Sequence, residues 1–174
     1  MNNILITGVS GTGKSTVCKQ LISQGYVAHD IENIKGMFNM YHKGTKKIFK
    51  SYDNLKPENI KNADWLCNSS KLKELVTSQK SNIAFYCGIA SNMEDILSFF
   101  DKIIVLQPDS DNLNKRLKNR EGTSDIGNNQ EGRDVVLGWK DWWEGEMHKK
   151  GAIFVNANKT PKEIAKKILN VLKI

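Results

Sequence analysis

A short β-branched-rich run, Ile4-Leu5-Ile6-Thr7, leads directly into Gly8-Val9-Ser10-Gly11-Thr12-Gly13-Lys14-Ser15. This octapeptide matches the phosphate-binding loop (Walker A) pattern G-x-x-x-x-G-K-[ST] at every fixed position. No other feature restricts the fold as strongly, because such a loop belongs between the end of a buried strand and the start of a helix. Val17, Cys18, Leu21 and Ile22 repeat at helical spacing after it, and Gly25 offers a stop. The glycines let successive backbone N–H groups turn inward as an anion-binding nest. Lys14 would reach the β- and γ-phosphates and the Ser15 hydroxyl would ligate Mg²⁺. The helix adds the positive end of its dipole beneath them. Gly8, Ser10, Gly11, Thr12, Gly13, Lys14, Ser15 and Thr16 are therefore the expected nucleotide-binding residues, with Ser15 the expected metal ligand.

A length of 174 residues with 39% hydrophobic content suits one globular domain, 1–174. No apolar stretch is long enough to span a membrane, and the early strand leaves no room for a signal peptide. Cys18, Cys67 and Cys87 are odd in number and lack metal-ligand spacing. They read as reduced thiols of a cytoplasmic protein. The net charge of +7 raises the question of a nucleic-acid partner. Of the 26 basic residues, however, only Arg116, Arg120 and Arg133 are arginines. The lysines are spread along the chain, as a compositional bias would spread them, which disfavours that partner. The three arginines cluster, and arginine alone offers a planar fork for phosphate oxygens.

Strands are expected at Ile4–Thr7, Tyr26–His29, Ile83–Cys87, Lys102–Leu106 and Ile153–Val155. Helices are expected at Lys14–Gln24, Ala63–Gln79, Met93–Phe99, Ser110–Arg120, Val135–Lys149 and Pro161–Leu172. The alternation predicts a three-layer α/β/α fold around a five-stranded parallel sheet. Two polar stretches break it: a lysine-rich segment at about 37–61 and a Gly/Asn-rich segment at about 121–133.

With these features the chain resembles the adenylate kinase/shikimate kinase-like group of small P-loop phosphotransferases. The resemblance rests on the loop at Gly8–Thr16, Asp30 beyond the second strand, Arg116-Leu117-x-x-Arg120, and the Val155–Pro161 turn. It implies the P-loop NTPase fold, with 37–61 as a mobile acceptor-binding segment and 121–133 as a lid. It also implies an ATP- and Mg²⁺-dependent phosphotransferase acting on a small molecule, such as a nucleoside, a nucleotide or a small hydroxyl compound, as a monomer or homodimer. A nucleotide-hydrolysing switch protein and a nucleic-acid end kinase are the alternatives.

The resemblance assigns adenine and phosphate contacts to Arg116 and Arg120, and an adenine contact to the backbone at Ala157. Arg120 could instead complement its helix C-terminus. Arg133 would swing in on closure to stabilise the transferring phosphoryl group. Asp30 would orient the acceptor hydroxyl or hold Mg²⁺ through water, unless it caps the helix from Ile31; Glu32 is a second carboxylate for that work. Lys14, Asp30, Arg120 and Arg133 are thus the expected catalytic residues, and Asp30 joins Ser15 as an expected metal ligand.

Two departures stand out. The third expected strand ends Tyr86-Cys87, where many such enzymes have an aspartate, and no arginine lies between Met1 and Lys115 to grip an anionic acceptor. Ser91 or Asn92 would touch substrate or cap the next helix. Trp139, Trp142 and Trp143, at i, i+3 and i+4, are expected to pack into the core. Asn158-Lys159 suggests the guanine-reading motif of GTPases, but Pro161 replaces its aspartate.

Overall fold

The computed structural model describes residues 2–120 and 126–174. Strand β1 (Asn2–Thr7) runs through the middle of a parallel sheet that also holds β2 (Val27–Asp30), β5 (Ile83–Cys87), β6 (Lys102–Gln107) and β7 (Ile153–Asn156). The spatial order is β2-β5-β1-β6-β7. Alternation along β1 builds both faces, since its side chains point up and down in turn. Ile4 and Ile6 meet α1 (Lys14–Ser23) and α6 (Pro161–Leu172) through Val17, Leu21, Ile164 and Ile168. Leu5 faces the other way, with Ala84 and Tyr86, towards α3 (Ser69–Ser78) through Leu72 and Val76. On that same side, Val105 packs beneath α4 (Ser110–Lys118) and α5 (Gln130–Lys149) through Leu113, Leu117, Val136 and Trp143. The expected three-layer fold with five parallel strands is what forms.

Four expectations need correction. The helix expected over Ala63–Gln79 divides into β4 (Ala63–Cys67) and α3, with Asn68 between them accepting a bond from the Lys71 backbone at 3.0 Å. The lysine-rich stretch is not a bare loop. It contains β3 (Phe38–His42) and the short α2 (Pro57–Lys61), and β3 pairs antiparallel with β4 from Phe38↔Cys67 to His42↔Ala63. The helix expected over Met93–Phe99 is two 3₁₀ turns, Met93–Asp95 and Leu97–Phe99. Helix α5 begins at Gln130, ahead of the expected Val135, because Asn129 caps it by accepting a bond from the Gly132 N–H at 2.8 Å. Residues 130–133 of the expected lid are therefore its first turn, and 121–125 lie outside the described residues.

The β3–β4 ribbon is stitched to the main sheet by polar side chains. The Trp65 N–H donates to the Ser91 hydroxyl at 3.0 Å, the Cys67 N–H donates to Asn92 Oδ1 at 2.9 Å, and Asn92 returns a bond to the Cys67 carbonyl at 3.1 Å. Ser91 and Asn92 thus hold β4, and the Asn92 side chain caps no helix.

Candidate functional site: a phosphate loop at the foot of a two-walled cleft

The loop from Gly8 to Gly13 emerges where β1 ends, flanked by β5 and β6, at the carboxyl edge of the sheet where parallel α/β folds bind ligands. Its shape depends on two glycines in particular. Gly11 sits at φ +87°, and a Cβ there would lie 2.8 Å from Leu117 and 2.9 Å from Leu113, so the loop rests directly on the leucine face of α4. Gly13 takes φ +103° as the residue before α1, with no side-chain cap. The first N–H groups of α1 are left to a ligand, and the helix dipole adds to their pull on an anion.

Lys14 is 8% exposed. Its ammonium donates to the Gly8 carbonyl at 2.8 Å and lies 3.4 Å from Glu32 Oε1. Glu32 is in turn held by the Ile89 N–H at 3.1 Å, so the turn after β5 fixes the carboxylate over the loop. Asp30 is placed differently. Its Oδ2 accepts from the Asn33 amide at 2.9 Å, it makes no cap bond, and it stays off the cleft wall that Glu32 and Asn33 line. Asp30 is the carboxylate expected from the sequence, and it is Glu32 that stands against Lys14. What placed Glu32 was the turn after Gly88, which brings Ile89 across from Ile31 and Glu32, and no short motif encodes that contact.

Arg116 on α4 and Arg120 just beyond it both reach the loop, from different positions. Arg116 donates to the Ala157 carbonyl at 2.7 Å and the Thr12 carbonyl at 3.3 Å, tying the turn after β7 to the phosphate loop. The Ala157 N–H is already given to the Gln107 carbonyl at 3.0 Å. Ala157 is fully buried, so the cleft wall on this side is made by Lys159 and Pro161 instead. Helix α4 stops at Lys118. Arg120, beyond its end and exposed, reaches Ser10 Oγ at 3.0 Å. It thus lies outside the helix that was expected to run through it. Arg133 is brought elsewhere: its buried guanidinium donates to the Gly127 and Asn128 carbonyls at 3.0 and 3.2 Å and to Gln130 Oε1 at 2.7 Å. In this arrangement it braces residues 126–130 and does not face the phosphate loop.

Hard oxygen donors suit Mg²⁺, which commonly takes one or two protein oxygens together with phosphate oxygens and water. The exposed Ser15 hydroxyl at the start of α1 supplies one such donor. Among the described residues no cluster of three or more His, Cys, Asp or Glu side chains is built to hold a metal by itself. The cysteines are all free and buried. The hydrogen bond that Cys87 shares with Cys18, with complete burial, pushes the Cys87 thiol well above its ordinary range, and burial raises Cys67 to about 11. Neither is an activated nucleophile.

From the loop a cleft of about 1380 Å³ opens between two walls. One is the β3–β4 ribbon with α2, presenting Met40, Tyr52, Ile60 and Trp65; the other is α5, presenting Trp139, Trp142, Trp143 and Met147. The walls touch where the Asn129 amide donates to the Leu55 carbonyl at 3.0 Å. The tryptophans divide. Trp143 is 6% exposed and packs with Val9 and Leu117, as expected of a core residue. Trp139 and Trp142 are 40% and 64% exposed and stand on the cleft, which the core-packing expectation did not provide for.

Strand, loop, capless helix and parallel sheet together define a P-loop nucleotide-binding α/β protein. The chain belongs to the AAA domain family, whose sequence profile matches residues 4–135. No curated protein sequence matches it. Solved structures with the same fold include a shikimate kinase from Acinetobacter baumannii in complex with shikimate, at 16% identity and TM-score 0.63. That match covers 99% of this chain and 93% of the other. A deoxyadenosine kinase from M. mycoides with bound dATP is similar at 14% identity and TM-score 0.62, over 99% and 100% of the two chains. A gluconokinase from Sinorhizobium meliloti 1021 is similar at 16% identity and TM-score 0.58, over 99% and 91%. The architecture is that of small P-loop kinases. No helix among the described residues is long and apolar enough to cross a membrane.

Proposed function

We propose that this protein is an ATP- and Mg²⁺-dependent phosphotransferase acting on a hydroxyl group of a small molecule. The observation that carries this reading is the meeting of Lys14 and Glu32, 3.4 Å apart, where the phosphate loop opens into the cleft. A cation for the γ-phosphate and a carboxylate for the acceptor proton are what phosphoryl transfer asks of a protein, besides positioning.

The loop amides and Lys14 hold the phosphates, while Arg116 and Arg120 border the donor side. Mg²⁺, held by the Ser15 hydroxyl and phosphate oxygens, would neutralise charge on the triphosphate. The acceptor oxygen then bonds to the γ-phosphorus and the bond to the β,γ-bridging oxygen breaks. ADP leaves with that electron pair, and Glu32 receives the hydroxyl proton. Asp30, bonded to Asn33 at the end of β2, stands off the cleft and takes no direct part in this step. The kinases of the same fold named above, with sugar-acid, shikimate and deoxyadenosine substrates in their names, support the reaction class and leave the acceptor open.

The test is ATP consumption in the presence of nucleosides, nucleotides, sugar acids and shikimate. At least one acceptor is expected to raise turnover well above basal hydrolysis. If none does, the protein is a nucleotide-hydrolysing switch and the reading falls. Lys14→Ala should lower acceptor-dependent turnover roughly 10²–10³-fold, the usual effect of removing a donor aimed at transition-state charge.

A further inference from the structure

The cleft beyond the phosphate loop has a chemical character that narrows the acceptor. Along α5 the cleft-facing positions are Trp139, Trp142, Trp143, Glu146, Met147 and Lys150. Their spacing of i, i+3, i+4, i+7, i+8 and i+11 makes one continuous stripe, about 16 Å long at the helical rise. Trp142 is 64% exposed although it borders a cleft whose opposite wall carries Met40, Ile60 and Trp65. Nothing on α5 requires a large aromatic there: Trp143 and Met147, on the inner edge of the stripe, already fill the core. An exposed indole lining a cleft offers a flat π face to a flat partner.

The charged groups of this part of the cleft do not favour an anionic acceptor. Asp64, Glu94 and Glu146 line this part of the cleft. Glu94 is paired with Lys150 at 3.1 Å and Glu146 with Lys149 at 2.6 Å, which leaves Asp64 and Lys43 to offset each other, so this part of the cleft carries no net positive charge. No arginine stands on the acceptor side, so a carboxylate or phosphate on the acceptor would find no bidentate clamp there. Hydroxy acids also bring no π face to the tryptophans. A planar, uncharged base carrying a hydroxylated sugar matches every part: the ring for Trp139 and Trp142, the carboxylates as acceptors for base and sugar N–H and O–H groups, and the hydroxyl for Glu32.

We infer that the acceptor is an uncharged nucleoside whose base stacks on Trp142 and Trp139 of α5. This rests on the phosphotransferase reading above and adds the substrate class and the residues that select it. Transfer follows the balance already given, with a sugar hydroxyl as the attacking oxygen.

The experiment is titration of the full chain, saturated with ADP so that the donor site is filled, with adenosine, thymidine, gluconate and shikimate. Tryptophan emission reports binding, and ATP consumption is measured for each compound in parallel. A nucleoside should quench the emission and raise turnover. Trp142→Ala should weaken that nucleoside's affinity about ten-fold, within the range that stacking of a base on an aromatic side chain contributes. Trp142→Phe should recover most of the loss, which a merely structural role would not produce, and circular dichroism checks that each variant is folded. Three results overturn the inference. If gluconate or shikimate is phosphorylated while the nucleosides neither bind nor turn over, the inference falls and the phosphotransferase reading stands. If a nucleoside binds with the same affinity to Trp142→Ala, the tryptophan face serves something else, such as a second copy of the chain. If no acceptor raises ATP turnover, both readings fall together.

Discussion

Glu32 and Asp30 are two residues apart and do different things. Glu32 is anchored by the Ile89 N–H and faces Lys14, whereas Asp30 is tied to Asn33. Replacing each carboxylate by its amide separates the roles. Glu32→Gln should lower transfer by roughly 10²–10⁴-fold, the usual contribution of a positioned acid–base group. It should not weaken ATP binding, because it releases Lys14 from a competing anion. Asp30→Asn keeps the hydrogen-bonding shape around Asn33 and should lower turnover much less. Steady-state kcat and KM for ATP, measured on both variants, check the order; a larger loss from Asp30→Asn would restore the carboxylate that the sequence alone favours. The octapeptide itself was fully readable in the sequence because its chemistry is local and fixed in spacing. Which of two neighbouring carboxylates faces Lys14 was not, since it depends on a turn 57 residues away in the chain.

At the scale of elements, legibility followed the range of the contacts. β1, α1, β5 and α6 form close to where periodicity and caps put them, and α6 carries a full capping box at Thr160 and Glu163. The ribbon failed because each half looks different alone. Phe38–His42 is submerged in lysine-rich sequence, and Trp65 and Cys67 blend with the helical period of α3. Only their pairing makes them strands, although Asn68 ahead of Ser69 was a usable start signal for α3. The tryptophans show another limit: a helical period identifies a stripe but not what covers it. Arg133 offers the test at this level. As a brace for residues 126–130 it satisfies three acceptors from a buried position. Arg133→Ala should therefore cost about 1–3 kcal/mol of stability, by the cost of leaving buried polar groups unpaired. It should also speed hydrogen exchange at the Asn129 and Gly132 amides. Unchanged stability with a large fall in kcat would return this residue to the phosphoryl group.

For the molecule as a whole, the loop after β1, α4 and the turn after β7 already meet through Arg116 and Leu117, and a bound nucleotide would add contacts to the loop. Nucleotide binding should appear as global stabilisation. At ATP·Mg²⁺ concentrations about 100 times Kd the gain is about 2.7 kcal/mol. For a chain of this size that corresponds to a rise of roughly 5–10 °C in the unfolding midpoint. Scanning calorimetry with and without ATP·Mg²⁺ measures it, and Lys14→Ala should lose most of the shift. One contact gives the assembly a further property. The Leu117 side chain is the surface against which both Gly11 of the phosphate loop and Gly127 of the segment before α5 are pressed, each too close to admit a methyl group without displacement. One hydrocarbon side chain therefore sets the standoff of both backbones, and trimming it would loosen the phosphate loop and the segment before α5 together.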